Sequence, residues 1–164
     1  MATAPMVAIR AVRHLYGTVI PREEFPEAAS TTFKAGAPVV AAAGFINEAG
    51  ADPALVLGIA TKDGGNKTPA GAAAQVIEVA LPEILFMGNL SNAAGTAVTA
   101  AADRVAKYGL AKEAVSGKWY VDKGEVTTLG VTIWNFWLQD KDVIGDVRGR
   151  VIFSFRSAVC QASS

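Results

Sequence analysis

The sequence is poor in reactive side chains. It holds one cysteine, Cys160, and one histidine, His14. A single cysteine excludes an intrachain disulfide, and one Cys with one His excludes a four-ligand Cys/His zinc site. Nothing in the composition requires an oxidising compartment. His14 falls in a proline-punctuated N-terminal stretch, where no third group orients it as a general base. Cys160 lies outside any nucleophile signature and reads as a small hydrophobe. Charge is also scarce. Charged residues are 18% of the 164, and 15 Lys+Arg balance 15 Asp+Glu. A balanced chain has no bulk field to hold nucleic acid or an anionic membrane, so neither is an expected partner. No run reaches the ~18 uninterrupted apolar residues of a membrane helix. Arg10 and Arg13 interrupt any apolar signal core near the N terminus.

What is present is apolar and small. Hydrophobic residues make up 51% of the chain, and the mean hydropathy is +0.30. Two readings fit. Either the protein is an oligomer or assembly component that buries an uncharged surface, or its alanines raise hydropathy without making sticky patches. The length suits one domain with a core that needs no staples.

Residues 1–26 differ in composition from the rest of the chain. They carry Arg10, Arg13, His14 and Arg22, no acid before Glu23, and prolines at 5, 21 and 26. Proline fixes φ and pushes its predecessor towards extended backbone, so this segment reads as an extended arm. Residues 27–160 read as a β-rich body, and 161–164 as a short polar tail. Within the body, Pro38–Ala41 and Phe45–Ile46 form a hairpin about Gly44. Leu55–Thr61 is a short apolar strand. Lys62–Thr68 (KDGGNKT) is loop, since Gly-Gly without strand–loop–helix context is no phosphate cradle. Gln75–Leu81 alternates, and Pro82 ends or bulges it. Ile84–Met87 resumes as strand. Thr99–Lys107 is either a short helix capped by Thr99 or a loop with one helical turn. Tyr108–Glu113 and Lys118–Asp122 flank a turn at Val115–Gly117, with Trp119 and Tyr120 on opposite faces.

The aromatic residues concentrate near the end of the chain. In Val131–Leu138, strict alternation puts Val131, Ile133, Asn135 and Trp137 on one face. It puts Thr132, Trp134, Phe136 and Leu138 on the other. Both faces are largely apolar, so the strand is covered on both sides or lies in a subunit interface. Arg148–Arg156 places Val151, Phe153 and Phe155 inward, and Arg150, Ser154 and Arg156 on a wet or contact-making face with Ile152. The predicted fold is mainly β. It is a barrel or sandwich of antiparallel hairpins, with one or two short helical turns and the N-terminal arm.

Catalytic and metal motifs are not found. Counting Asp140 as position 1 of a calcium loop puts Asp142 at 3 and Gly145 at 6. Position 5 is then Ile144, and position 12 is Val151 where a bidentate Glu is needed. The acids Asp140, Asp142 and Asp146 therefore read as a solvated hairpin turn. Arg148, Arg150 and Arg156 lie near aromatics but match no nucleic-acid motif. No cofactor is implied, and the protein does not read as an enzyme.

Four segments together resemble a known family: FKAGAPVVAAAGFINEAGADPALVLGIAT, VIEVALPEILFMGNL, YGLAKEAVSGKWYVDKGE and VIGDVRGRVIFSF. They are similar to capsid decoration (cement) proteins of tailed bacteriophages, over roughly Phe33–Phe155. The elements are Gly36-x-Pro-Val-Val, Leu57-Gly-Ile-Ala, Tyr108-Gly-Leu with Gly117-x-Trp-Tyr-Val-Asp, and Gly145-Asp-Val-x-Gly-Arg-Val. All are turn-and-strand patterns. The resemblance implies a non-enzymatic virion protein, made in the host cytoplasm, that sits on the head exterior. It implies a homotrimer that clamps major capsid protein subunits. Capsid-contact candidates are Arg10, Arg13, Tyr16 and Arg22. Core or intersubunit packing candidates are Trp119, Trp134, Phe136, Trp137 and Phe153. Other readings are a different phage component, such as a head-fibre base or tail protein, and a small β-barrel enzyme or carbohydrate-binding domain.

Overall fold

A computed structural model of the chain describes residues 2–139 and 142–163. In chain order the strands are β1 (Arg10–His14), β2 (Arg22–Pro26), β3 (Pro38–Ala42), β4 (Phe45–Glu48), β5 (Gly58–Ala60) and β6 (Ala74–Val79). They continue with β7 (Ile84–Ser91), β8 (Lys107–Lys112), β9 (Trp119–Asp122), β10 (Val131–Phe136) and β11 (Arg150–Phe155). The mainly β fold is as expected. The helical structure among the described residues is three single 3-10 turns, at Ala101–Asp103, Ser157–Val159 and Gln161–Ser163. Thr99–Lys107 is thus the loop with one turn, and Gly109 lies inside β8.

The strands form two sheets. One has the order β1-β7-β11-β10-β8-β9, and a parallel pairing of β9 with β7 closes the last five strands into a barrel. The other has the order β2-β6-β5-β3-β4. Its ends approach through a bridge between Glu27 and Ile46. The β3–β4 hairpin turns on Ala43 (φ 52°) and Gly44 (φ 84°). Two successive positive φ values give the twist that a two-residue hairpin loop needs.

β7 organises the barrel. All eight of its residues are buried. It pairs with β1 over Ile84–Met87, with β11 over Phe86–Asn89 and with β9 at Leu90 and Ser91. On its inner face Phe86 packs with Phe153 and Phe155, at ring centroids 5.2–6.1 Å apart. Val131, Ile133, Phe136 and Val151 complete this part of the core.

The segment 2–26 is extended, and it is built into the body. β1 lies along β7, β2 lies along β6, and Ala4 and Ile9 are buried. Two carboxylates join the sheets. Glu78 on β6 accepts from Ala11 N of β1 at 2.5 Å and from Arg22 Nη2 at 2.9 Å. Glu48 on β4 accepts from Trp119 Nε1 and Lys112 Nζ, both at 2.8 Å. At the C terminus, Gln161 bonds both the N–H and the C=O of Ala41, at 2.9 and 3.0 Å. The first residue of the polar tail is thereby anchored to β3.

One face assignment requires correction. β10 pairs Ile133 with Phe153 but Asn135 with Ile152, so Trp134 is an extra, bulged residue. A bulge moves every later side chain to the opposite face. Phe136 therefore joins Val131 and Ile133 in the core, and Asn135 points outward. The outcome separates the aromatics. We expect Phe153→Ala to cost about 3–5 kcal/mol in urea unfolding, and Trp134→Ala to stay within about 1 kcal/mol. Equal losses would mean that Trp134 belongs to the core.

Candidate interaction surface

The outer face of β1, β7, β11 and β10 divides into a covered half and an open half. In the covered half Asn89 of β7 is fully buried, and its amide holds the N-terminal segment. It accepts from Val7 N at 2.8 Å and donates to Pro5 O at 3.0 Å and Arg148 O at 2.6 Å. Beside it Arg150 is buried and forms a forked pair with Asp142, Nε–Oδ2 at 2.6 Å and Nη2–Oδ1 at 3.0 Å. Asp146 is also buried. It accepts from Ala2 N at 2.8 Å and from Val143 N at 2.9 Å. These amide contacts hold its carboxyl below the usual aspartate range, against the opposing effect of burial.

Two expectations therefore change. Asp142 and Asp146 are not a solvated turn, because they neutralise and cap the segment that covers β11. Asp140 lies outside the described residues. Arg150 is not on a wet face, because that segment closes over it. Arg156 is half-buried and donates to Leu129 O at 2.8 Å.

The open half is apolar. A groove of about 250 Å³ is lined by Val12, Arg13, Leu85, Trp134, Trp137 and Ile152, with Asn135 at its side. Trp134 is 46% exposed and Leu138, just beyond, is 54% exposed. The Trp134 indole is fixed by donation from Nε1 to Ser154 Oγ at 2.9 Å. Trp137 is half-buried, and its Nε1–H is shielded yet has no hydrogen-bond partner among the described residues. The groove has a structural cause. β1 pairs Ala11 with Phe86 and Arg13 with Leu85, so Val12 is bulged as Trp134 is. The unpaired residues of two bulges thus face the same depression.

Of the expected contact residues, Arg13 alone joins the two tryptophans. It is exposed and makes no ion pair among the described residues. Arg10 and Arg22 line a separate cleft of about 320 Å³ between the sheets, where Arg22 pairs with Glu78. Tyr16 is 79% exposed in the turn after β1. Trp119, Phe136 and Phe153 are core residues. Sequence reasoning missed Glu78 and Glu48 as ties between sheets. A lone acid in the apolar run QVIEVAL was the available signal for Glu78, since a buried acid needs donors.

Among the described residues no three His, Cys, Asp or Glu are placed to hold a metal ion. Acids do crowd at Gly109, where a Cβ would collide with the Asp52 carboxylate and lie 2.6 Å from Glu125 Cγ. No protein-family model, curated protein or solved structure matches the chain.

The crowding gives a signed pH prediction. Burial, then the nearby charges of Glu125 and Asp122, raise the Asp52 carboxyl above its usual range. A raised carboxyl favours the folded state at low pH, and that contribution is lost as pH rises through the folded-state value. Asp52→Asn should therefore raise the melting temperature at pH 7, with the gain fading below the carboxylate range. Paired melts at about pH 7 and about pH 3, above and below the unperturbed aspartate value, check this. A gain that persists in acid would contradict it.

Proposed function

We propose that the protein is a capsid decoration protein of a tailed bacteriophage. In this reading it is a non-enzymatic virion component that binds the head exterior and clamps neighbouring major capsid protein subunits. The observation that carries the reading is the open half of the barrel's outer face, where Trp134 and Leu138 stand exposed and Trp134 lines a groove with the half-buried Trp137 and with Arg13. Trp and Arg are the residue types most enriched among interface hot spots. The turn-and-strand patterns of the decoration proteins, over Phe33–Phe155, support the same reading.

The mechanism is mechanical. The face sits on a barrel whose central strand is wholly buried, so it is presented with little ordering cost. A homotrimer engaging several capsid subunits would gain by effective concentration, since each contact raises the local concentration for the next. Burial of the two tryptophans then resists separation of neighbouring capsid subunits.

Two tryptophans beside a groove also suit a sugar platform, which makes carbohydrate binding the second reading. Co-sedimentation with expanded, undecorated heads decides between them. The full chain should bind heads saturably and raise the temperature at which they release DNA. Trp134→Asp should weaken binding at least about 10-fold, one factor of ten per 1.4 kcal/mol lost. Removing residues 1–26 is unsuitable as a test, because it deletes β1 and β2. A folded wild-type protein that ignores heads but binds glycans would sink the capsid reading.

A further inference from the structure

We infer that the groove between Trp134 and Trp137 docks an extended peptide segment that carries an acidic residue among apolar or proline residues. This deepens the capsid reading, in which the shell would supply the segment, but its test uses peptide alone. Failure of one therefore leaves the other standing.

Three observations define the occupant. The first is shape. The groove is about 250 Å³, too small for a drug-sized ligand's usual pocket and suited to a few side chains of an extended chain. The second is the Trp137 Nε1–H, shielded and without a partner among the described residues. An unmet buried donor is costly, so an occupant that brings an acceptor to this groove-lining indole is favoured. An extended peptide with no internal hydrogen bonds leaves its carbonyls available, and aromatic grooves recognise proline-rich chains in this way. The third is charge. Among the described residues Arg13 is the one ionisable residue in the lining, and no acid lines the groove with it.

The same charge argues against the other occupants. A second copy packed across a two-fold axis would bring like patches together, setting Arg13 near Arg13. A sugar presents hydroxyls that need acceptors as well as donors. Of the lining side chains Arg13 brings donors only, the Trp137 N–H is shielded, and only the Asn135 side chain carries both kinds.

The test pans a displayed library of random dodecapeptides against the immobilised full-length protein, with Trp134→Ser as the subtractive control. Circular dichroism confirms that each variant folds. The expected result is a consensus with Asp or Glu flanked by Pro, Leu or Ile. The selected peptide, made with a fluorophore, should bind with micromolar affinity by fluorescence polarisation. Arg13→Glu should weaken it at least about 10-fold, and replacing the peptide's acid by Lys should restore binding to that variant. Trp137→Phe keeps an aromatic ring but loses the N–H and part of the indole's volume, and should weaken binding several-fold. If Trp137→Phe does not fold, the Arg13 charge swap still decides. Enrichment equal on Trp134→Ser, basic consensus peptides, or binding indifferent to Arg13→Glu would each overturn the proposal. So would a dimer in sedimentation equilibrium that Trp134→Ser dissociates, which would assign the groove to a second copy.

Discussion

Everything in this molecule depends on giving β7 cover on two sides. Eight consecutive residues, ILFMGNLS, are buried, and buried backbone groups must find partners. Three neighbouring strands supply them. Side chains are the harder requirement. The inner face meets Phe153, Phe155 and Ile9, as a barrel interior should. On the outer face the chain brings its own N-terminal segment and a loop. Residues 2–9 cross one end and are held by Asn89. Residues 142–149 close beside them, locked by Arg150 and Asp142. The N-terminal segment is therefore structural cover as much as it is an arm.

Asn89, Arg150 and Asp146 are satisfied in a consistent way. Arg150 is a poor choice for stability alone, because a forked ion pair under a loop loses much of its Coulomb gain to desolvation. Its geometry offers register instead. A planar guanidinium accepts a carboxylate in one orientation, so the loop can close in one place. Glu78 and Glu48 do the same between the sheets. Glu78 takes one of its two donors from the other sheet and Glu48 takes both, which sets how the sheets face each other.

How much of this is legible in the sequence depends on range. The β3–β4 and β8–β9 hairpins are readable because alternation and a glycine turn sit close together in the chain. The pairing of β1 with β7 is not, because nothing in RAVRH names a partner so far along the chain. The face of Phe136 is misread for a local reason. Alternation assumes no bulge, and the extra residue at Trp134 has no sequence mark. The acids at 142 and 146 read as solvated because charge near a Gly usually means an exposed turn. Their burial depends on the arginine and the backbone amides that meet them, which are tertiary facts. Within the groove, Arg13, Trp134 and Trp137 each stand out in the sequence, but no sequence pattern places them together.

That groove has its origin in the same local event. If β10 ran without a bulge, Phe136 would point outward and Asn135 would point into the barrel. One extra residue returns the phenylalanine to the core and leaves a tryptophan outside. A bulge beside a functional site commonly re-aims a side chain, and here a second bulge at Val12 deepens the same depression. The chain covers half of the outer face and stops at Trp134. The cover ends where it would have to bury Arg13, a cation with no acid beside it among the groove's lining residues. Closing that half from within would need a second carboxylate like Asp142. A partner that brings the carboxylate with it removes the need.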